Sequence, residues 1–126
     1  DVLFSQADII TLHIPMNTST RHFVDRRRIS LMKTGAMLIN SSRGAVVDEA
    51  ALVDALVQGH LGGAAIDTFV KEPYEGPLTR MDNCVLTAHI GASANESRIK
   101  MELGATEDCL RIIHGQTPFQ PAPIED

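Results

Sequence analysis

The sequence predicts an α/β fold built on a parallel β-sheet. Short apolar runs alternate along the chain with segments of helical periodicity, which is the pattern of strands joined by helical crossovers. The first run, residues 9–14, is nearly continuous and rich in β-branched side chains, as a strand covered on both faces would be. At 126 residues the chain is long enough for one such domain.

The apolar runs predict the strands. Pro15 ends the first run, because proline cannot donate a hydrogen bond to the ladder. The third run is rich in glycine and alanine, which indicates that a helix or a cofactor passes close to it. The predicted strands are residues 9–14, 36–39, 62–66 and 84–86.

Capping residues and apolar spacing predict the helices. Apolar side chains within residues 29–32 indicate a short first helix. Asp48 is a good N-cap for a second helix that ends at Gly59. Ser93 and Glu96 form a capping box for a last helix. The apolar stripe predicted for this last helix comprises Ile99, Leu103, Leu110 and Ile113.

Composition excludes several classes of function. With 16 acidic and 11 basic residues the formal net charge is −5, which argues against a nucleic-acid partner and an anionic membrane surface. No run reaches the roughly 18 apolar residues of a membrane span. Cys84 and Cys109 are too few for a disulfide framework, and no Cys/His spacing predicts a metal site. These features predict a cytoplasmic protein.

The start of the chain is unusual. It begins on Asp1 without a methionine, and Val2, Leu3 and Phe4 follow as though an element were already under way. No charged signal-peptide segment precedes them. We therefore expect the sequence to be cut from a longer protein.

Polar residues follow every predicted strand. His13 lies at the end of the first run, residues 40–44 follow the second, Asp67 follows the third and residues 87–89 follow the fourth. In open parallel sheets, ligands bind beyond the carboxyl ends of the strands. The sequence therefore predicts a binding site at this edge.

The residue types at this edge indicate acid–base chemistry on a small acid. Arg43 offers a fork that binds a carboxylate through two hydrogen bonds, and His89 can give or take a proton near neutral pH. Glu72 lies in a long loop, residues 68–83, and a carboxylate beside a histidine fixes its tautomer. Asp67 could accept a hydrogen bond from an amide.

Four stretches carry a resemblance to a known family. They are residues 7–15 (ADIITLHIP), 32–44 (MKTGAMLINSSRG), 63–69 (GAAIDTF) together with Glu72-Pro73, and 86–93 (LTAHIGAS). The chain resembles the NAD-dependent D-isomer-specific 2-hydroxyacid dehydrogenases, which include phosphoglycerate, glycerate, D-lactate and phosphite dehydrogenases. The resemblance covers nearly the whole chain, with the stretches in the family's order.

The resemblance implies a role for each catalytic candidate. Arg43 would bind the substrate carboxylate and help to polarise its carbonyl group. His89 would be the general acid when a 2-keto acid is reduced, and the base in the reverse reaction. Glu72 would hydrogen-bond His89 and hold it protonated, and Asp67 would hold the nicotinamide carboxamide.

The resemblance also implies the ligands, which are NAD, with NADP not excluded, and a small 2-hydroxy or 2-keto acid. Ala88 replaces a proline common in the family, and Thr68 replaces a common valine; neither position carries a role. The residues expected to line the cofactor are His13, Ile14, Pro15, Ser41, Ser42, Arg43, Asp67, His89, Gly91 and Ala92.

One family feature is missing from the sequence. The Gly-x-Gly-x-x-Gly turn that holds the cofactor pyrophosphate is not present, because Gly59, Gly62 and Gly63 have the wrong spacing. We therefore expect the second half of a Rossmann-type parallel sheet with flanking helices, its first mononucleotide-binding half absent. Residues 1–117 would form this partial NAD-binding domain and residues 118–126 an extended tail. Alone, such a chain would bind NAD weakly and lack activity.

Two other functions remain open at this stage. The chain could belong to an NAD-sensing, corepressor-like binding module, because such proteins use the same scaffold. It could also be a non-catalytic half-domain that self-associates, for instance as a dimer, since its first strand would be an exposed sheet edge.

Overall fold

The computed structural model describes residues 1–121, which divide into two compact units after His89. The first unit contains a four-stranded, fully parallel sheet in the order β1-β2-β3-β4. The predicted α/β class is therefore confirmed. The strands are β1 Ile9–Leu12, β2 Met37–Asn40, β3 Gly63–Ile66 and β4 Cys84–Leu86. The helices are α1 Val2–Gln6, α2 Arg26–Leu31, α3 Glu49–Val57 and, in the second unit, α4 Asn95–Ile113.

One face of the sheet is packed and the other is open. Ile10 and Leu38, paired in register, are 5% and 0% exposed, whereas their neighbours Ile9 and Met37 are 58% and 47% exposed. Because the strands follow one another in chain order, right-handed crossovers place every connection on the same face. The prediction that the first strand is covered on both faces is wrong for the described residues. That strand also ends at Leu12 rather than residue 14.

Side-chain caps begin two helices of the first unit, α2 and α3. The predicted cap of α3 is confirmed, because the Asp48 carboxylate accepts a hydrogen bond from the Ala51 N–H at 3.1 Å. Gly59 follows the helix with φ +67°, a conformation that favours glycine. Asp25 caps α2 in the same way, by accepting from the Arg28 N–H.

The second unit differs from its prediction at two points. Helix α4 begins after Ala94 without a side-chain cap, because the Ser93 N–H instead donates to Ile90 O in a turn, so the predicted capping box does not form. The predicted stripe from Ile99 to Ile113 is exposed, and α4 buries none of its residues.

The start of the predicted tail folds back on α4. The Asp108 carboxylate accepts hydrogen bonds from the N–H groups of Phe119 and Gln120, and the Arg111 guanidinium lies 3.9 Å from the centre of the Phe119 ring. The rest of the predicted tail, residues 122–126, lies outside the described residues.

Candidate active site

The carboxyl edge of the sheet brings the loops after neighbouring strands together. The Asp67 N–H, just after β3, donates to Asn40 O at the end of β2 at 2.9 Å. The His89 N–H, after β4, donates to Asp67 O at 2.8 Å. These backbone hydrogen bonds fix the polar segments side by side, as the parallel topology requires.

Glu72 and His89 are in direct contact. The Glu72 Oε2 lies 3.1 Å from the His89 Nδ1, and the other carboxylate oxygen accepts the Phe69 N–H at 3.0 Å. Both side chains are partly exposed, at 38% and 45% respectively. The imidazole is thus oriented by a carboxylate that is itself held by the backbone, while solvent reaches the pair.

The backbone of His89 adopts a conformation that side chains other than glycine rarely take. Its φ is +54°, in the left-handed region. Such a conformation costs of order 1–3 kcal/mol and persists where the surroundings impose it. The hydrogen bonds from the His89 N–H to Asp67 and from its ring to Glu72 are two such restraints.

The hydrogen bond from Phe69 lowers the pKa of Glu72. The Phe69 N–H is the largest cause, and the hydrogen bond with His89 is the second. Both favour the ionised carboxylate. Because the folded-state pKa lies below the unfolded one, this stabilisation is complete above the unfolded pKa and is lost as the pH falls through the folded value.

Glu72→Gln should therefore remove part of the acid sensitivity of the fold. The variant is expected to be less stable than the parent chain near neutral pH, and the gap should close as the pH falls below about 4. Urea unfolding from about pH 7 to about pH 3 would measure it. Glu107→Gln, which removes an exposed carboxylate on α4, is the matched control; an equal response in this control would contradict the prediction.

Asn40 lies among the polar residues predicted at this edge, but the sequence reasoning gave it no role. It is 1% exposed, and its Oδ1 accepts hydrogen bonds from the Ser42 N–H and the Ser42 hydroxyl at 3.1 and 2.8 Å. Its Nδ2 donates to Arg43 O at 3.0 Å. Asn40 thereby fixes the turn that carries Arg43. The available signal was a polar residue at the end of a buried strand, followed at once by serines and an arginine.

Six of the residues predicted to line the cofactor, together with Met16, line one cavity. This cavity, of about 430 Å³, is bounded by residues 13–16 and residues 41–43. The Arg43 Nη1 donates to Ser42 O at 2.8 Å, and the His13 Nε2 lies 2.9 Å from the Thr11 hydroxyl. The volume falls in the range of small-molecule sites, and the lining offers donors and acceptors for a nicotinamide nucleotide.

Asp67 has a hydroxyl partner across the edge. The Thr87 Oγ1 donates to the Asp67 Oδ1 at 2.5 Å, which orients the carboxylate. An oriented carboxylate oxygen is a suitable acceptor for an amide N–H, the group that the predicted role requires.

The remaining predicted residues are placed as follows. Gly91 and Ala92 lie in the second unit, in the turn that precedes α4. Thr68 is 2% exposed, and its hydroxyl has no hydrogen-bond partner among the described residues. Ala88 is exposed and lines a cavity beside Glu72.

Two further properties concern residues 1–121. Within this range no group of three histidine, cysteine or acidic side chains is arranged to hold a metal ion. No helix in the same range has both the length and the apolar character that a membrane crossing requires.

A family model matches the whole of the first unit. Residues 1–91 match the model described as "D-isomer specific 2-hydroxyacid dehydrogenase, NAD binding domain". This range includes Glu72 and His89, which contact each other, as well as Arg43 and Asp67.

Curated and solved proteins give the same result. The chain is 48% identical over 102 residues to a D-3-phosphoglycerate dehydrogenase from Escherichia coli. This match covers 76% of the chain and 25% of that protein. It is 40% identical over 120 residues to a glyoxylate reductase from Thermofilum pendens, covering 94% of the chain and 35% of that protein. The chain thus spans about a quarter to a third of the length of these curated relatives.

The same similarity extends to three dimensions. A D-isomer specific 2-hydroxyacid dehydrogenase from Xanthobacter autotrophicus, solved in complex with NADPH and MES, superimposes with a TM-score of 0.84 at 32% identity. The match covers 95% of this chain and 50% of that one.

Proposed function

Because the chain belongs to the D-isomer specific 2-hydroxyacid dehydrogenase family, we propose that it carries the acid–base residues and the nicotinamide side of an NAD-dependent oxidoreductase. The reaction is the interconversion of a D-2-hydroxy acid and its 2-keto acid. The observation that carries the proposal is the contact of 3.1 Å between His89 Nδ1 and Glu72 Oε2 at the carboxyl edge of a parallel sheet.

His89 is the proposed general acid. With Nδ1 held by Glu72, the proton for transfer lies on Nε2, from which it passes to the carbonyl oxygen of the 2-keto acid. Glu72 stabilises the protonated ring before the transfer, and in the oxidation direction the neutral ring takes the proton back. When bound, the reduced nicotinamide supplies the hydride that the carbonyl carbon accepts.

Arg43 and Asp67 are the proposed binding residues. The guanidinium of Arg43 pairs with the substrate carboxylate through two charge-assisted hydrogen bonds. Asp67, oriented by Thr87, accepts the nicotinamide carboxamide N–H. The residues around the cavity of about 430 Å³ supply further cofactor contacts in the first unit. Gly91 and Ala92 remain predicted cofactor-lining residues. NAD is the proposed cofactor, with NADP as the alternative to test.

The partial NAD-binding domain is assigned to residues 1–117, with residues 118–126 as its tail. Gly59 follows α3 with a positive φ, and Gly62 lies against the Gly35 carbonyl, so both glycines have structural tasks in the first unit. Each missing charge-assisted contact to the pyrophosphate costs roughly 1.5–3 kcal/mol. The chain alone is therefore proposed to bind NAD weakly and to turn over no substrate.

A hybrid enzyme tests the function. This chain replaces the matching segment of the Thermofilum pendens glyoxylate reductase, with which it shares 40% identity, and oxidation of NADH or NADPH is followed with glyoxylate and hydroxypyruvate. We expect turnover by the hybrid and none by the chain alone. A folded hybrid that binds NADH yet reduces no 2-keto acid would overturn the proposal.

We also propose self-association in the cytoplasm. In the described residues the outer edge of β1 pairs with no other strand. Ile9, the first residue of β1, is 58% exposed. Cys84 and Cys109 are free thiols, which fits a reducing compartment. Light scattering should give the mass of a dimer for the chain. The Ile9→Lys variant should shift the measured mass toward that of a monomer. A constant monomer mass at high concentration would contradict self-association.

A further inference from the structure

The loop that carries Glu72 is tied to helix α3 through Tyr74. The Tyr74 hydroxyl donates to the Glu49 Oε1 at 2.6 Å and accepts a long hydrogen bond from the Leu78 N–H at 3.4 Å. Glu49 is the first residue of α3, and Leu78 is a core residue with 1% exposure. Two fixed parts of the first unit therefore hold the hydroxyl.

The ring of Tyr74 supports the backbone next to the contacting pair. It stacks on the Phe69 ring with centroids 4.2 Å apart and planes inclined by 17°. Gly76 leaves the space that the Tyr74 ring needs, since a Cβ there would lie 2.2 Å from the tyrosine hydroxyl oxygen. The ring position is thus set by the hydroxyl and by its two neighbours.

Phe69 passes this restraint to the carboxylate. Its N–H donates to the Glu72 Oε1 at 3.0 Å, and the other oxygen of Glu72 contacts the His89 ring. A continuous series of contacts therefore runs from Glu49 through Tyr74, Phe69 and Glu72 to His89.

The phenol stays a donor at any pH at which the site would work. Burial, and then the hydrogen bond to Glu49, raise the pKa of Tyr74 to about 12. The Tyr74 hydroxyl therefore keeps the proton that it donates to Glu49 near neutral pH.

We propose that the hydrogen bond from Tyr74 to Glu49 positions the Glu72 carboxylate against His89, which makes Tyr74 and Glu49 positioning residues of the site. The inference deepens the proposed function, on which it rests only for the task given to His89. This one hydrogen bond joins a residue of a loop to a residue of a helix that is 25 positions away in the sequence.

The direct test follows the Glu72 carboxyl carbon by NMR during a pH titration of the 126-residue chain. Tyr74→Phe keeps the ring and removes the hydroxyl, so the Phe69 N–H should engage Glu72 less well and the Glu72 pKa should rise toward its ordinary value. Glu49→Ala should have the same effect, and combining the two changes should add nothing further. Glu49→Gln keeps an acceptor oxygen and should leave the titration as in the parent chain.

The matched control is Thr79→Val. It removes the hydrogen bond of 2.8 Å from the Thr79 hydroxyl to Gly76 O, in the same loop but outside the series of contacts. It should leave the Glu72 titration unchanged. General loosening of the loop would instead move the titration in this variant as well.

A second readout uses the hybrid enzyme. Tyr74→Phe should lower kcat by about two- to tenfold, the equivalent of one neutral hydrogen bond, with KM for glyoxylate unchanged. If the hybrid with all parent residues is inactive, the proposed function fails, and the titration still decides this inference. Circular dichroism checks folding, and Glu49→Ala replaces Tyr74→Phe if that variant unfolds. A Glu72 titration that is unmoved in the folded variants, or moved equally by Thr79→Val, would overturn the inference.

Discussion

His89→Gln in the hybrid enzyme is expected to lower kcat by about 10²–10⁴-fold, the usual contribution of a positioned general acid. Glutamine keeps an amide of similar size that can still hydrogen-bond Glu72, but it has no proton to give near neutral pH. The loss should therefore appear in kcat and kcat/KM alike, because the interaction belongs to the transition state. Steady-state oxidation of NADH with glyoxylate measures both.

Two controls sharpen this experiment. His114→Gln changes an exposed histidine at the end of α4 and should leave kcat within about twofold. The Kd for NADH, measured by fluorescence, separates a loss of proton transfer from a loss of cofactor binding, since His89 is also expected to line the cofactor. Turnover by His89→Gln at the parent rate would remove the acid–base role from this residue.

The fold and the contacting pair were predictable for the same reason. Continuous apolar runs predicted the strands, and in a parallel sheet all carboxyl ends lie at one edge, so Glu72 and His89 meet although they are 17 residues apart. The cap of α3 was predictable because Asp48, a residue type that favours N-cap positions, stands directly before the helical apolar pattern. The absence of the capping box at Ser93 was not predictable, because the Ser93 N–H donates to Ile90 O in a turn instead.

Other features depend on tertiary packing that no local pattern records. Asn40 looked like an ordinary strand end, and only its burial shows that it organises the Arg43 turn. The hydrogen bond from Tyr74 to Glu49 joins a loop to a helix and has no signature in spacing. The open face of the sheet follows from the strand order, which the sequence alone did not supply.

Gly44→Ala is expected to separate the two loops that form the site. A Cβ at Gly44 would lie 2.2 Å from the Phe69 carbonyl carbon and 2.4 Å from the Val70 nitrogen, distances that real Cβ atoms do not show. Both atoms are backbone, so no side-chain rotation relieves the clash. The effect is steric, because Gly44 does not adopt a positive φ. Overpacking of this kind costs about 1–3 kcal/mol of unfolding free energy, which urea unfolding of the chain would measure.

The same substitution should also disable the hybrid enzyme. Gly44 joins the Arg43 turn to the backbone of Phe69, which holds Glu72, so both the proposed carboxylate-binding group and the acid–base pair would move. A displacement near 1 Å can cost about 10²-fold in rate. Gly104→Ala is the matched control, because its Cβ meets nothing within 4 Å on α4, and alanine stabilises a helix by about 0.5–1 kcal/mol relative to glycine. Equal stability and activity of the two variants would show that the loops tolerate separation and that their close approach does not position the site.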